Sequence, residues 1–161
     1  MAKKTKPSSD PDVKVIATNR QARRRWEIVE TFEAGLSLKG TEVKALRDGK
    51  VNIGDAYATF TGDELFIIGL HIGPYASAGQ YDQHEPLRTR KLLLKRSQLE
   101  KLQGLLAQKG YSLVVLDLHF RKAWAKVNIG LGKGKKNIDR REDIKKRQAD
   151  REMARAVKIR K

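Results

Sequence analysis

Two alternating stretches separated by a two-residue link constrain this fold more than any other feature of the chain. From Leu113 to Phe120, Val114, Leu116, Leu118 and Phe120 share one face, and Leu113, Val115, Asp117 and His119 share the other. The alternation resumes from Ala123 to Ile129, with Ala123, Ala125, Val127 and Ile129 inward and Trp124, Lys126 and Asn128 outward. A period of two marks strands, and Arg121-Lys122 between them suits a hairpin. Val51 to Phe60 and Glu64 to Ile72 form a second hairpin across Thr61-Gly62-Asp63. Trp26 to Lys39 supplies one long strand or two.

Two helices interrupt the strands. Ser97-Gln98-Leu99-Glu100 reads as a capping box, followed by a stripe of Leu99, Leu102, Leu105 and Leu106 and a stop at Gly110. Thr41 to Arg47 reads as a shorter helix, with Glu42 near its positive end, Arg47 near its negative end and Gly49 beyond. The expected fold is mainly β with short α-helices: an oligonucleotide-binding-type antiparallel β-barrel plus a basic C-terminal tail. Its 161 residues fit one domain.

The charge is unevenly placed. Lys and Arg number 35 against 19 Asp and Glu, a net charge of +16. Residues 131–161 hold 13 of the cations and 5 of the anions, so half of the excess lies in the last fifth of the chain. Apolar residues are sparse there (Ile138, Ile144, Met153, Val157 and Ile159), too few to offset the entropy of ordering. The tail is therefore expected to be unstructured when free and helical when docked. Glu142 with Lys146 and Asp143 with Arg147 would support that helix at i,i+4 spacing. Residues 1–12 read as a disordered lead-in and 13–130 as the barrel. An excess of cations this large points to a polyanionic partner, nucleic acid above all.

Enzymatic readings find little support. With no cysteine, disulfides, zinc-thiolate sites and thiol nucleophiles are excluded. No run of apolar residues is long enough for a membrane span. The basic start continues into Pro7-Ser8-Ser9-Asp10 rather than a hydrophobic segment, so a cytoplasmic protein is expected. His84-Glu85 lies in a polar loop without the helical spacing of a metal site. His119 shares a face with Asp117, which reads as a hydrogen-bonded surface pair before an acid–base pair. Gly130-Leu131-Gly132-Lys133-Gly134-Lys135-Lys136 lacks the Lys-Ser/Thr ending of a nucleotide-hydrolysis loop and reads instead as a flexible cationic clamp on phosphate. No catalytic residue, metal or cofactor is expected.

Binding features are more numerous. Arg20, Arg23, Arg24 and Arg25 precede Trp26, a cluster that reads equally as a solvated charge run or a phosphate contact. Arg88-Thr89-Arg90-Lys91 precedes Leu92-Leu93-Leu94, and one leucine exposed beside those cations would offer a base a surface to stack on. Trp124 beside Lys126 on an outward face suits an unstacked base in the same way.

Gly40-Thr41-Glu42-Val43-Lys44-Ala45-Leu46-Arg47-Asp48-Gly49-Lys50 resembles the signature of the small protein B (SmpB) family, the SsrA-binding proteins of bacteria. His71-Ile72-Gly73-Pro74-Tyr75, Arg88 to Leu94, and Lys133-Gly134-Lys135-Lys136 with Asp139-Arg140-Arg141 follow in that family's order and spacing. The resemblance runs from about Val15 to about Arg155. It implies an RNA-binding protein that holds the tRNA-like part of transfer-messenger RNA and delivers it to stalled ribosomes for trans-translation. By the same resemblance Asn19, Arg20, Arg23, Glu33, Arg88, Arg90, Lys91, Leu93 and Lys126 face RNA. Tyr57 would face the small subunit, and Lys133, Gly134, Lys135, Lys136, Asp139, Arg140 and Arg141 would lie near the empty decoding site, with the tail beyond in the message channel. Elongation factor Tu is implied as a partner through the shared RNA. The chain departs from the family's pattern at Arg140, where Lys is common, and at Ile138, which cannot stack as the histidine or aromatic residue of some relatives does. The alternative reading is a general structured-RNA-binding or ribosome-associated protein without preference for transfer-messenger RNA.

Overall fold

In the computed structural model, described over residues 11–135 and 137–159, the C-terminal hairpin is built from β8 (Tyr111–Arg121) and β9 (Trp124–Gly134). Arg121 lies opposite Trp124, so the turn is Lys122-Ala123, one residue later than the alternation suggests. Ala123 is consequently an exposed turn residue and not an inward strand residue. Lys122 takes a φ of 56°, a left-handed conformation that is costly outside glycine.

The alternation of β8 is broken by a bulge. Its register against β9 slips between Val115 and Asp117, and the extra residue reverses which face the side chains take. Leu113, Val115, Leu118 and Phe120 therefore enter the main core. Val114 and Leu116 instead pack with Ala22, Trp26 and Ile28 in a second cluster. The expected single row of Val114, Leu116, Leu118 and Phe120 is thus divided between two clusters.

The other elements are β1 (Val13–Thr18), α1 (Ala22–Arg25), β2 (Trp26–Leu36), α2 (Gly40–Arg47), β3 (Val51–Asn52), β4 (Tyr57–Thr61), β5 (Glu64–Ile68), β6 (His71–Ile72), β7 (Arg90–Leu93), α3 (Arg96–Leu106) and α4 (Asn137–Ile159). β4 and β5 make the expected second hairpin, but only around Gly62-Asp63. Val51-Asn52 and His71-Ile72 pair separately as β3 and β6. The antiparallel pairings β8–β4, β4–β5, β5–β7, β7–β2, β2–β9 and β9–β8 close on themselves. β1 pairs with the remaining part of the β8 edge. Closure leaves the six ring strands little unpaired edge.

Inside the ring Ala34, Leu65, Ile67, Leu92, Val127 and Ile129 are buried, joined by Ala45 and Leu46 of α2 and Leu102 of α3. Each fully buried leucine stabilises by roughly 1.5–3 kcal/mol over its exposed state. α3 starts earlier than Ser97: Lys95 is the N-cap, and Gln98 Oε1 accepts the Lys95 N–H at 3.3 Å. Glu100, expected to close a capping box, pairs with Arg96 at 3.1 Å.

Gly130–Gly134 is also corrected. These residues continue β9 past the expected end of the barrel at residue 130. A Cβ on Gly130 would come within 3.1 Å of Ile28 and Leu116, and one on Gly132 within 3.0 Å of the Trp26 Cβ. Close packing, not flexibility, explains these two glycines. α4 spans Asn137–Ile159, the stretch read from the sequence as a tail that becomes helical on docking. Its described side chains, Ile144 and Met153 among them, are exposed. Residues 1–10 of the 1–12 lead-in and Lys136 lie outside the described residues, as do the side chains of Ile138, Asp139, Arg140, Asp143 and Val157.

Candidate nucleic-acid interface

Strand register assembles one outer face from four separate segments. Leu93 of β7 lies opposite Gly35 of β2, Gly35 opposite Lys126 of β9, and Lys126 opposite His119 of β8. A Cβ on Gly35 would be 3.3 Å from the Leu93 Cβ, so its glycine leaves room for Leu93 beside it. One row over, Glu33 lies opposite Asn128, and Asn128 opposite Asp117. Among the three consecutive leucines, Leu92 is 1% exposed and Leu93 is 52% exposed. Trp124 is 74% exposed on the same β9 face as Lys126. The face thus combines apolar surface with cations, the pairing that unstacked bases require.

At its centre Glu33 Oε1 accepts hydrogen bonds from His119 Nε2 at 3.1 Å and Arg121 Nε at 3.0 Å, with Lys126 Nζ 3.7 Å away. His119 Nδ1 sits 3.0 Å from Asp117 Oδ1. Asn128 Nδ2 donates to both Asp117 oxygens, at 2.9 and 3.1 Å. Burial works to raise the Glu33 pKa, but the His119 hydrogen bond and the charges of Lys126 and Arg121 outweigh it and hold the carboxyl below its ordinary range. The Asp117–His119 pair is hydrogen-bonded, as the strand pattern suggests, and belongs to a half-buried network on this face in which His119 itself is buried. Glu33, 86 residues away, was the partner that local spacing did not reveal.

A second cluster supports the neighbouring cations. Glu42 is completely buried; its carboxylate accepts the Lys39 N–H at 2.7 Å, Arg88 Nη2 at 2.8 Å and Arg90 Nε at 2.8 Å. Arg90 is also fully buried and donates to the carbonyls of Leu70, Arg88 and Pro86 at 2.6, 2.9 and 3.1 Å. This corrects its expected place on the RNA-facing surface: Arg90 is an internal brace, while Arg88 is half-buried and reaches the surface. Burial tends to raise the Glu42 pKa, yet the Arg88 hydrogen bond, the Lys39 N–H and Arg90 together lower it. Lys91 pairs with Glu64 at the surface.

Asn19 is likewise internal. Its Oδ1 accepts the N–H groups of Gln21 and Ala22 at 3.2 and 3.1 Å, while Nδ2 donates to the carbonyls of Ile53 and Gly54 at 3.4 and 3.3 Å. These bonds anchor the start of α1, on which Arg23 is exposed, with Arg20 exposed just before it. His84, read as part of a polar loop, is buried between Thr41 Oγ1 at 3.0 Å and the Ile72 carbonyl at 3.1 Å. Tyr57 is 48% exposed on β4, at a cavity of about 710 Å³ shared with Trp26, Phe60 and Tyr111. β4 pairs with neither β2 nor β7, and of β2 the cavity takes Trp26 at the far end of the strand from Glu33. Lys133 and Gly134 are exposed at the end of β9, Lys135 follows half-buried, and Arg141 is exposed on α4.

The model of the SmpB protein family matches residues 16–159. The chain belongs to the SmpB family. Among its SmpB relatives, the SsrA-binding protein of Nostoc punctiforme is 54% identical over 145 residues, 90% of this chain and 94% of that protein. The SsrA-binding protein of Microcystis aeruginosa is 50% identical over 151 residues, 94% of this chain and 98% of its own. A solved structure described as "tmRNA-SmpB: a journey to the center of the bacterial ribosome" superposes with a TM-score of 0.62 at 48% identity, over 75% of this chain and 85% of that one. Among the described residues of this SmpB-family chain, no helix is long and apolar enough to cross a membrane.

Proposed function

We propose that this chain binds the tRNA-like part of transfer-messenger RNA on the β7–β2–β9–β8 face and delivers it to stalled ribosomes for trans-translation. The observation that carries this reading is Leu93 exposed beside Lys126 and Glu33, on a member of a family whose relatives bear the name SsrA-binding protein. A purely electrostatic clamp has no need of an exposed leucine in register with a lysine, one row from a fixed carboxylate. The closed ring of antiparallel strands supports an oligonucleotide-binding-type barrel, and the exposed arginines around α1 supply phosphate contacts at its side.

Tyr57, Lys133, Gly134, Lys135, Lys136, Asp139, Arg140 and Arg141 form the ribosome-directed part, and α4 enters the vacant message channel. Message already in the channel excludes the tail by sterics and by competition for the same cations, so the tail senses vacancy. In this reading the protein works in the cytoplasm, and elongation factor Tu joins through the shared RNA. Truncation after Lys135 tests the division of labour. The shortened chain is expected to bind transfer-messenger RNA but fail to support tagging on stalled ribosomes; tagging at the full-length level would overturn the tail's role.

A further inference from the structure

His119 is 3% exposed, yet both its ring nitrogens point at carboxylate oxygens, Asp117 at 3.0 Å and Glu33 at 3.1 Å. A neutral imidazole has one N–H and can satisfy one acceptor; two donors require the imidazolium. The groups around the ring are Asp117 and Arg121 on its own strand, Glu33 from β2, and Lys126 and Asn128 from β9. β1 places the uncharged Val15 opposite it. The hydrogen bond to Asp117 raises the His119 pKa above its ordinary 6.5; burial opposes that rise, and Glu33 adds to it.

The contacts to Glu33 are one-sided. His119 and Arg121 both donate to Oε1, and Oε2 accepts no hydrogen bond among the described residues. Glu33 is itself partly exposed and next but one along β2 to Gly35, where Leu93 and Lys126 meet.

We propose that His119 is a positioning residue for RNA recognition: as an imidazolium anchored by Asp117, it clamps Glu33 Oε1 and so presents Oε2 as a fixed acceptor for the exocyclic amine of an unstacked base. Leu93 then supports the base from one side, and Lys126 meets the adjoining backbone. Deprotonation of His119 leaves one carboxylate facing a ring lone pair, and Glu33 is released from its fixed position. RNA affinity therefore depends on the His119 proton. The inference rests on the RNA-binding reading of this face and adds its regulation by pH.

The test is binding of the full chain to transfer-messenger RNA and to an ordinary tRNA from pH 5.5 to 8.5, at low and high salt. His119→Gln, Glu33→Gln and the double variant are measured alongside. Wild-type affinity for transfer-messenger RNA is expected to fall roughly tenfold as the ring deprotonates, the worth of one hydrogen bond to a charged group. That fall should persist at high salt, where one added surface charge is screened. His119→Gln should bind weakly with a flat profile, and the double variant should bind no worse than Glu33→Gln. Imidazole ¹⁵N shifts of the wild type should show His119 titrating above the ordinary range and changing on RNA binding, a readout that survives if a variant does not fold. A flat wild-type profile with the RNA preference intact would overturn this inference alone, as would additive effects of the two substitutions. Loss of preference for transfer-messenger RNA at every pH would overturn the RNA reading and this inference with it.

Discussion

Arg90 is a cation that braces the proposed binding face from inside the protein. Its four donor contacts all end inside the protein; Glu42 is the carboxylate bonded to it, and the charge of Glu85 adds to the balance. Glu42→Ala would leave a buried guanidinium unpaired, so a loss of about 3–5 kcal/mol is expected in urea unfolding. The pH dependence of stability follows from two carboxylates, Glu33 and Glu42, and one histidine of opposite sign. The lowered pKa values of Glu33 and Glu42 contribute stability that is full above the ordinary 4.5 and is lost as pH falls through the folded values. The raised His119 pKa contributes stability that is full below 6.5 and is lost as pH rises through its folded value. Thermal midpoints should therefore peak between those two values, and His119→Gln should remove the alkaline decline. Sequence alone placed Glu42 at the start of α2 and paired His119 with Asp117. It did not show burial of either, because Arg88, Arg90 and Glu33 reach them from distant strands.

At the scale of elements, strand and helix periodicity was legible and the irregularities were not. The β8–β9 hairpin, the β4–β5 hairpin and the leucine stripe of α3 follow from local spacing. The bulge at Val115/Asp117 does not, since it depends on how β8 satisfies both β1 and β9 at once. β1 and β7 were not expected as strands either; each is short and gains its order from neighbours in the sheet. The glycines of β9 illustrate the same dependence. Their spacing resembled a flexible loop, but Gly132 exists to admit Trp26. Gly132→Ala should displace the indole, cost about 1–3 kcal/mol and red-shift the emission of Trp26, while Trp124 is already exposed. Wild-type emission and stability in that variant would remove the close-packing explanation.

For the whole molecule, the charge distribution points to the partner class and the register to the proposed surface. The net +16 attracts any polyanion, and nothing in that number distinguishes one RNA from another. In the proposed reading selection rests on the row of Leu93, Gly35, Lys126 and His119, which no segment of sequence contains by itself. The exposed leucine among three consecutive leucines was foreseeable as a possibility; the strand pairing decided that it is Leu93. The most direct measurement is therefore the affinity of wild type and Leu93→Ala for transfer-messenger RNA and an ordinary tRNA across a salt series. Each phosphate contact steepens the log–log slope by about 0.7 to 0.9 for either RNA. The wild type should keep its preference for transfer-messenger RNA at high salt, and Leu93→Ala should lose roughly fivefold of it, about 1 kcal/mol of apolar contact, without a change of slope. Equal affinities that collapse together with salt, untouched by Leu93→Ala, would contradict the account.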